Sequence, residues 1–180
     1  MAKQKLSAQT KAVNKVYMVF ALIAAVLLLG LGSLAMWAHT FTTDMVRTEL
    51  AAQKVYFPAA GSKSLDPKEF PDLQKYGGQL VDTPEEARAY ANGYIGRHLE
   101  KVAGGKVYSE VSAEAQKDPT NTKLQQQKAS LFQGETLRGI LLSTGYAFGT
   151  IGKIAGIAAY TMLVGSGVLF AAAIVLRARS

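Results

Sequence analysis

The chain contains no cysteine, which removes disulfide frameworks and thiolate metal sites from consideration. It has two histidines, His39 and His98, too few for the three or four clustered ligands that a structural or catalytic metal normally takes. His98 reads as a helix-surface residue and His39 as a polar residue at a membrane interface. A haem held between apolar helices would need histidines inside them, and neither lies there. Phosphate-cradling glycine loops are missing too, because such loops sit between a strand and a helix. Gly30-Leu31-Gly32 and Gly165-Ser166-Gly167 lie inside apolar runs, and Gly104-Gly105-Lys106 reads as a helix stop. With no nucleophile elbow and no carboxylate pair in a credible cleft, the expectation is a protein that is not an enzyme and carries no cofactor and no metal.

Charge of one sign is also absent from large parts of the chain. All 13 acids lie between Asp44 and Glu135, matched by as many bases between Ala38 and Gly139, so the net charge of +7 resides elsewhere. It comes from Lys3, Lys5, Lys11 and Lys15, from Arg177 and Arg179, and from Lys153. A nucleic-acid partner would need a basic face on a folded domain, and this distribution does not supply one.

What is present is two long apolar runs. Residues 16–38 carry no charge over 23 residues, about 35 Å as a helix against the roughly 30 Å of a bilayer core. The run is too long for the h-region of a signal peptide and lacks an A-x-A cleavage site, since Trp37 interrupts it. It predicts an uncleaved first transmembrane helix, with Trp37 as an interface anchor. The second run, 139–176, has Lys153 as its one charge. Counted back from Arg177, residues 154–176 supply the second span, with Lys153 snorkelling at the far interface and Arg177 at the near one. Residues 139–153 become an apolar helical extension. The basic tails, 1–15 and 177–180, are cytoplasmic by the positive-inside rule, leaving 39–138 as an extracytoplasmic segment. The fold class is an all-α membrane protein, a hairpin of two transmembrane helices with a small helical segment between them, in the plasma (inner) membrane.

Helix signals in that segment are local. Residues 44–54 continue the first span, and 61–78, rich in proline, glycine and aromatics, read as an irregular excursion over another surface. Thr83-Pro84-Glu85-Glu86 forms a capping box, with Thr83 as N-cap, proline at the first helical position and Glu86 returning a hydrogen bond. Gly104-Gly105 ends that helix. A second helix covers 109–117, and a third starts near Thr120 or Asn121. Glu135 and Arg138 are spaced to pair across one turn. Gly145, Gly149, Gly152 and Gly156 recur at spacings of four, three and four, continuing to Ala159. That one-sided stripe of small residues is the usual device by which helices approach closely in lipid. Because it begins in the apolar extension, a partner helix is expected to cover it.

The stretches Ala89-Tyr90-Ala91-Asn92-Gly93-Tyr94-Ile95-Gly96-Arg97-His98-Leu99, Gly105–Ser112 and Gly134–Gly139, with the glycine-rich start of the second span, resemble a family of uncharacterised two-span membrane proteins of actinobacteria. A label of ring-opening dioxygenase attached to that family does not fit this chain, which lacks the iron ligands of such chemistry. In size and architecture the chain is also similar to small accessory subunits of actinobacterial cytochrome bcc–oxidase supercomplexes. The resemblance implies a non-catalytic accessory, assembly or stabilising subunit of a larger integral-membrane complex, with the bilayer and structural lipids as further partners. The alternatives are a homo-oligomeric channel or sensor, for which the first run offers no polar stripe, and a tethered extracytoplasmic binding module.

Overall fold

A computed structural model of the chain describes the backbone from Ala2 to Ser180 and side chains from Gln9 onward; the side chains of Lys3 and Lys5 lie outside the described residues. It contains α1 (Ala2–Ala52), two 3-10 turns (Lys63–Leu65 and Pro71–Tyr76), α2 (Pro84–Arg88), a π-helical segment (Ala89–Gly96), α3 (Arg97–Ala103), α4 (Tyr108–Lys117), α5 (Thr122–Ile140), a second π segment (Leu141–Ala147) and α6 (Phe148–Ala178). No strand occurs among the described residues, only an isolated bridge between Tyr56 and Leu80. Two helical stretches, Gln9–Ala52 and Thr122–Ala178, are long and apolar enough to cross a membrane. The chain divides into two compact units, one of Met1–Phe41 with Ile151–Ser180 and the other of Thr42–Thr150.

The unit Thr42–Thr150 is built around an apolar core of Val46, Leu50, Phe57, Leu65, Phe70, Leu73, Val81, Ala87, Ala91, Val111, Leu131 and Leu141, with neighbours packed against them. Thr83 Oγ1 accepts from the Glu86 N–H while the Glu86 carboxylate accepts from the Thr83 N–H at 3.0 Å, so both halves of the capping box form. The helix ends where Gly104 and Gly105 turn to φ of 61° and 83°, a left-handed geometry that glycine adopts without steric cost. α4 begins with the Glu110 carboxylate accepting from the Val107 N–H, and α5 with Asn121 as N-cap to Leu124.

The segment between α1 and α2 is a folded loop. Phe57 and Val81 reach across it through backbone bonds to Gln79 and Val55, and the Gln74 amide donates to the carbonyls of Leu65 and Phe70 while accepting from Gly61 N–H. Its apolar side chains, Leu65, Phe70 and Leu73, are buried in the unit's own core. The excursion therefore wraps its own helices, packing Leu73 onto Gly93, where an added Cβ would stand 2.9 Å from the leucine.

The residues expected to form an exposed apolar extension belong to this core. Leu141 and Gly145 are buried and Leu142 and Phe148 half-buried, with the second π segment lying against α2 and the first π segment along α5. Tyr146 hydroxyl accepts from Arg88, whose guanidinium also stands 5.0 Å over its ring.

In the other unit, α1 and α6 meet along small residues. The Ser166 hydroxyl donates to the Ala25 carbonyl at 2.9 Å, Gly32 lies against Met162 and Leu163, and Gly165 faces Leu28. Buried positions recur seven apart on each helix, Ala25 and Gly32 on α1 and Gly152, Ala159, Ser166 and Ala173 on α6, with Gly156 buried between the first two of the latter. Away from this seam both helices present large apolar side chains outward, among them Phe20, Leu27, Leu34, Ile157, Val164 and Ile174.

Candidate functional site

The sequence-predicted site residues separate into three places. Those of the glycine stripe are all buried: Gly145, Gly149, Gly152, Gly156 and Ala159. The first two are filled from within their own unit. A Cβ on Gly145 would lie 2.8 Å from that of Ala87, and one on Gly149 would lie 2.3 Å from Pro84 Cγ. At these two glycines, where a partner helix was expected, the space is taken by the capped helix α2 of this chain. Farther along, Gly156 faces the His39 ring at 2.8 Å, and His39 Nδ1 bonds the Gly152 carbonyl at 2.9 Å. A carbonyl can only accept, so His39 carries its proton on Nδ1. The interface histidine is thus part of the seam.

The interface anchors lie on exposed positions. Trp37 is exposed and stacks on Phe41 at 5.5 Å, and Lys153 and Arg177 are exposed as well. At the basic end, Asn14 Nδ2 donates to the Arg179 carbonyl at 3.2 Å, so the two tails meet.

The third place is a cavity of about 230 Å³ lined by Asn92, Gly96, Leu99, Gly105, Val107 and Arg138 together with Glu100, Lys106, Leu131 and Glu135. Arg138 Nη1 donates to both Glu135 oxygens at 2.9 and 3.0 Å, as the i, i+3 spacing predicts, and Nη2 donates to Asn92 Oδ1 at 3.1 Å. Lys106 is held on both oxygens of Glu114 at 2.7 Å. The guanidinium lies beside Gly96, at an ordinary contact distance of 3.6 Å from where a Cβ would stand. Arg138 Nε is buried with no hydrogen-bond partner, a cost the surrounding pairs offset. Charged pairs thus make up part of the cavity wall, with Glu100 beside them, and among the described residues no three His, Asp or Glu side chains gather as a metal site. The bond from Arg138 to Asn92 ties α5 to the first π segment.

Sequence reasoning did not find the aromatic system beside it. Phe57 stacks on Tyr76 and meets Tyr90 edge-on; Tyr90, Tyr94 and His98 follow one another along the helix, and Phe70 packs on Tyr94 and His98. Tyr90, Tyr94 and His98 are spaced four apart along the helix, but their partners Phe57, Phe70 and Tyr76 are remote in sequence and carry no local signal. His98 stands on the surface but belongs to this stack. Burial pushes the Tyr90 and Tyr94 hydroxyls above the ordinary phenol range. Arg97 bridges to Asp72 with two bonds of 2.8 Å and lies over Phe70, and the Arg97 guanidinium holds the Asp72 carboxyl below the usual range. Lys101 pairs with Glu69 alongside.

A second concavity, about 310 Å³ and mainly apolar, is lined by Tyr108, Gln125, Lys128, Ala129 and Phe132. In a body that tucks Phe57 and Phe70 to 2% and 1% exposure, Phe132 stands 59% exposed and Val107 57%. Comparison with protein-family models, with curated proteins and with solved structures finds no match to this chain.

Proposed function

We propose that this chain is a two-span protein of the plasma (inner) membrane, with α1 and α6 forming a transmembrane hairpin, both termini in the cytoplasm, and the unit Thr42–Thr150 as its extracytoplasmic part. In that setting we infer a non-catalytic accessory role, bracing or stabilising a larger integral-membrane complex. The similarity in size and architecture to small subunits of the cytochrome bcc–oxidase supercomplex makes a respiratory complex the first partner to seek. The observation that carries the reading is the concavity at Phe132 and Tyr108. It exposes apolar surface on a unit that buries Phe57 and Phe70, and such exposure marks protein interfaces.

The test is purification of the full chain from its native membrane in mild detergent, followed by identification of co-purifying subunits. Phe132→Ser removes apolar area from an exposed position and leaves the fold intact, and truncations at interface anchors cost about 1–3 kcal/mol in binding, so recovery of the partner should fall by tenfold or more. A wild-type chain that purifies alone, or one that self-associates without other subunits, overturns the accessory reading. Equal recovery by the variant moves the interface away from Phe132.

A further inference from the structure

The cytoplasmic end of the helix pair carries an unusual balance of charge. Lys11, Lys15, Arg177 and Arg179 are all exposed, and the Asn14 side chain bonds the Arg179 carbonyl at 3.2 Å, bringing the start of α1 beside the end of α6. Lys11 and Lys15 are one helical turn apart on α1, and Arg177 and Arg179 follow the apolar part of α6. No Asp or Glu occurs in residues 1–43 or in 139–180, so no internal carboxylate neutralises the group. Elsewhere several cations have carboxylate partners, Arg97 with Asp72, Lys101 with Glu69, Lys106 with Glu114 and Arg138 with Glu135. At the basic end neither helix has an Asp or Glu nearby, the nearest on α1 being Asp44.

We propose that this end is a binding surface for anionic phospholipid headgroups, gathering acidic lipid around the helix pair in its cytoplasmic leaflet. The proposal rests on the reading of α1 and α6 as spans, because the spans set the cations at headgroup depth. Clusters of four to eight Lys or Arg directly beside a transmembrane helix attract anionic lipid electrostatically, and the attraction falls off within a Debye length. Arginine adds paired donors that match phosphate oxygens, while lysine contributes a point charge. Arg177 and Arg179 at the C-terminal end and Lys11 and Lys15 on α1 thus supply both kinds of phosphate contact at one end of the helix pair. Charge complementarity selects the lipid's phosphate as the occupant, since an acidic protein would have to reach a patch bounded by apolar helix.

The experiment uses the full chain. Its integration is scored first by alkaline carbonate extraction of vesicles: release of the wild type would overturn the two-span reading and this inference with it. Retained protein is then purified in a mild detergent, and bound lipid is counted by native mass spectrometry in micelles doped with phosphatidylglycerol or with phosphatidylcholine. The wild type should hold phosphatidylglycerol at least fivefold more than phosphatidylcholine at low salt, with the preference fading at 0.5 M salt. Replacing all four bases (Lys11→Gln, Lys15→Gln, Arg177→Gln, Arg179→Gln) should bring the ratio to near one, while the charge-preserving set (Lys11→Arg, Lys15→Arg, Arg177→Lys, Arg179→Lys) should keep it. Equal binding of the two lipids by the wild type, or an unchanged ratio in the glutamine variant, overturns the inference. Displacement of the lipid by millimolar inorganic phosphate would overturn the lipid assignment in favour of a general anion site.

Discussion

Gly149 shows how much one missing methyl can decide. Its spacing with Gly145, Gly152 and Gly156 made the face legible, because periodicity along a helix is a local property. The occupant was not legible: nothing in the spacing distinguishes a partner helix from Pro84 of the same chain, which lies far away in sequence and close in space. The same geometry now ranks the glycines. Gly149→Ala would set a Cβ 2.3 Å from a rigid proline ring, and overpacking of this kind costs about 1–3 kcal/mol. Gly139, on α5, has nothing within 4 Å of an added Cβ, and Gly139→Ala should stabilise by about 0.5–1 kcal/mol through helix propensity. Thermal unfolding of the two variants in detergent should move in opposite directions, and a Gly149→Ala chain as stable as wild type would show that α2 does not seat there.

Among elements, those specified by neighbouring residues could be read directly. The capping box, the double-glycine stop, the Asn121 cap and the end of α4 before Asp118-Pro119 all lie where local chemistry places them, since each satisfies backbone groups within one turn. Two features depend on distant residues and escaped such a reading. One is the pair of π segments, whose widened turns accompany the packing of Leu73 against Gly93 and of Gly145 against Ala87. The other is the closure of the loop before α2, fixed by Gln74 and by the tie from Asp72 to Arg97 on α3. That tie has a pH signature. The folded Asp72 carboxyl ionises below its ordinary value because Arg97 stabilises the charged form, so the tie contributes fully above the unfolded carboxylate pKa near 4 and is lost as pH falls through the lower folded value. Both partners are partly exposed, which limits the contribution to less than about 1 kcal/mol. Asp72→Asn should therefore be slightly less stable than wild type at pH 7, with the difference shrinking below pH 4 in paired denaturant titrations; a constant offset across that range would refute the linkage.

For the whole molecule, the sequence conveyed composition well and assembly poorly. The two apolar runs and the placement of charge are sums over many residues and survive ignorance of any contact; the boundary between the two units does not. The division at Thr42 and Thr150 places residues 139–150 of the apolar extension in the unit Thr42–Thr150 and 151–153 in the other, because it depends on what covers Leu141 and Gly145. Topology remains open to a direct measurement that the absence of cysteine makes clean. With both termini cytoplasmic, a single Ser64→Cys in the exposed loop should react with an impermeant maleimide in intact cells, and Ser7→Cys only after lysis; the reverse pattern would invert the assignment.

The seven-residue recurrence of Ala25 and Gly32 on α1, and of Gly152, Ala159, Ser166 and Ala173 on α6, has a handedness. A straight α-helix drifts by about 20° per seven residues, so two helices that keep such a repeat in contact must coil gently around each other in a left-handed sense. This couples twist to phase. One alanine inserted between Ala159 and Ser166 would turn everything beyond it by about 100°, swinging the Ser166 hydroxyl away from the Ala25 carbonyl and putting Gly165, which has no hydroxyl to donate, in its place. The membrane would tolerate the longer helix, but the winding of the pair would not.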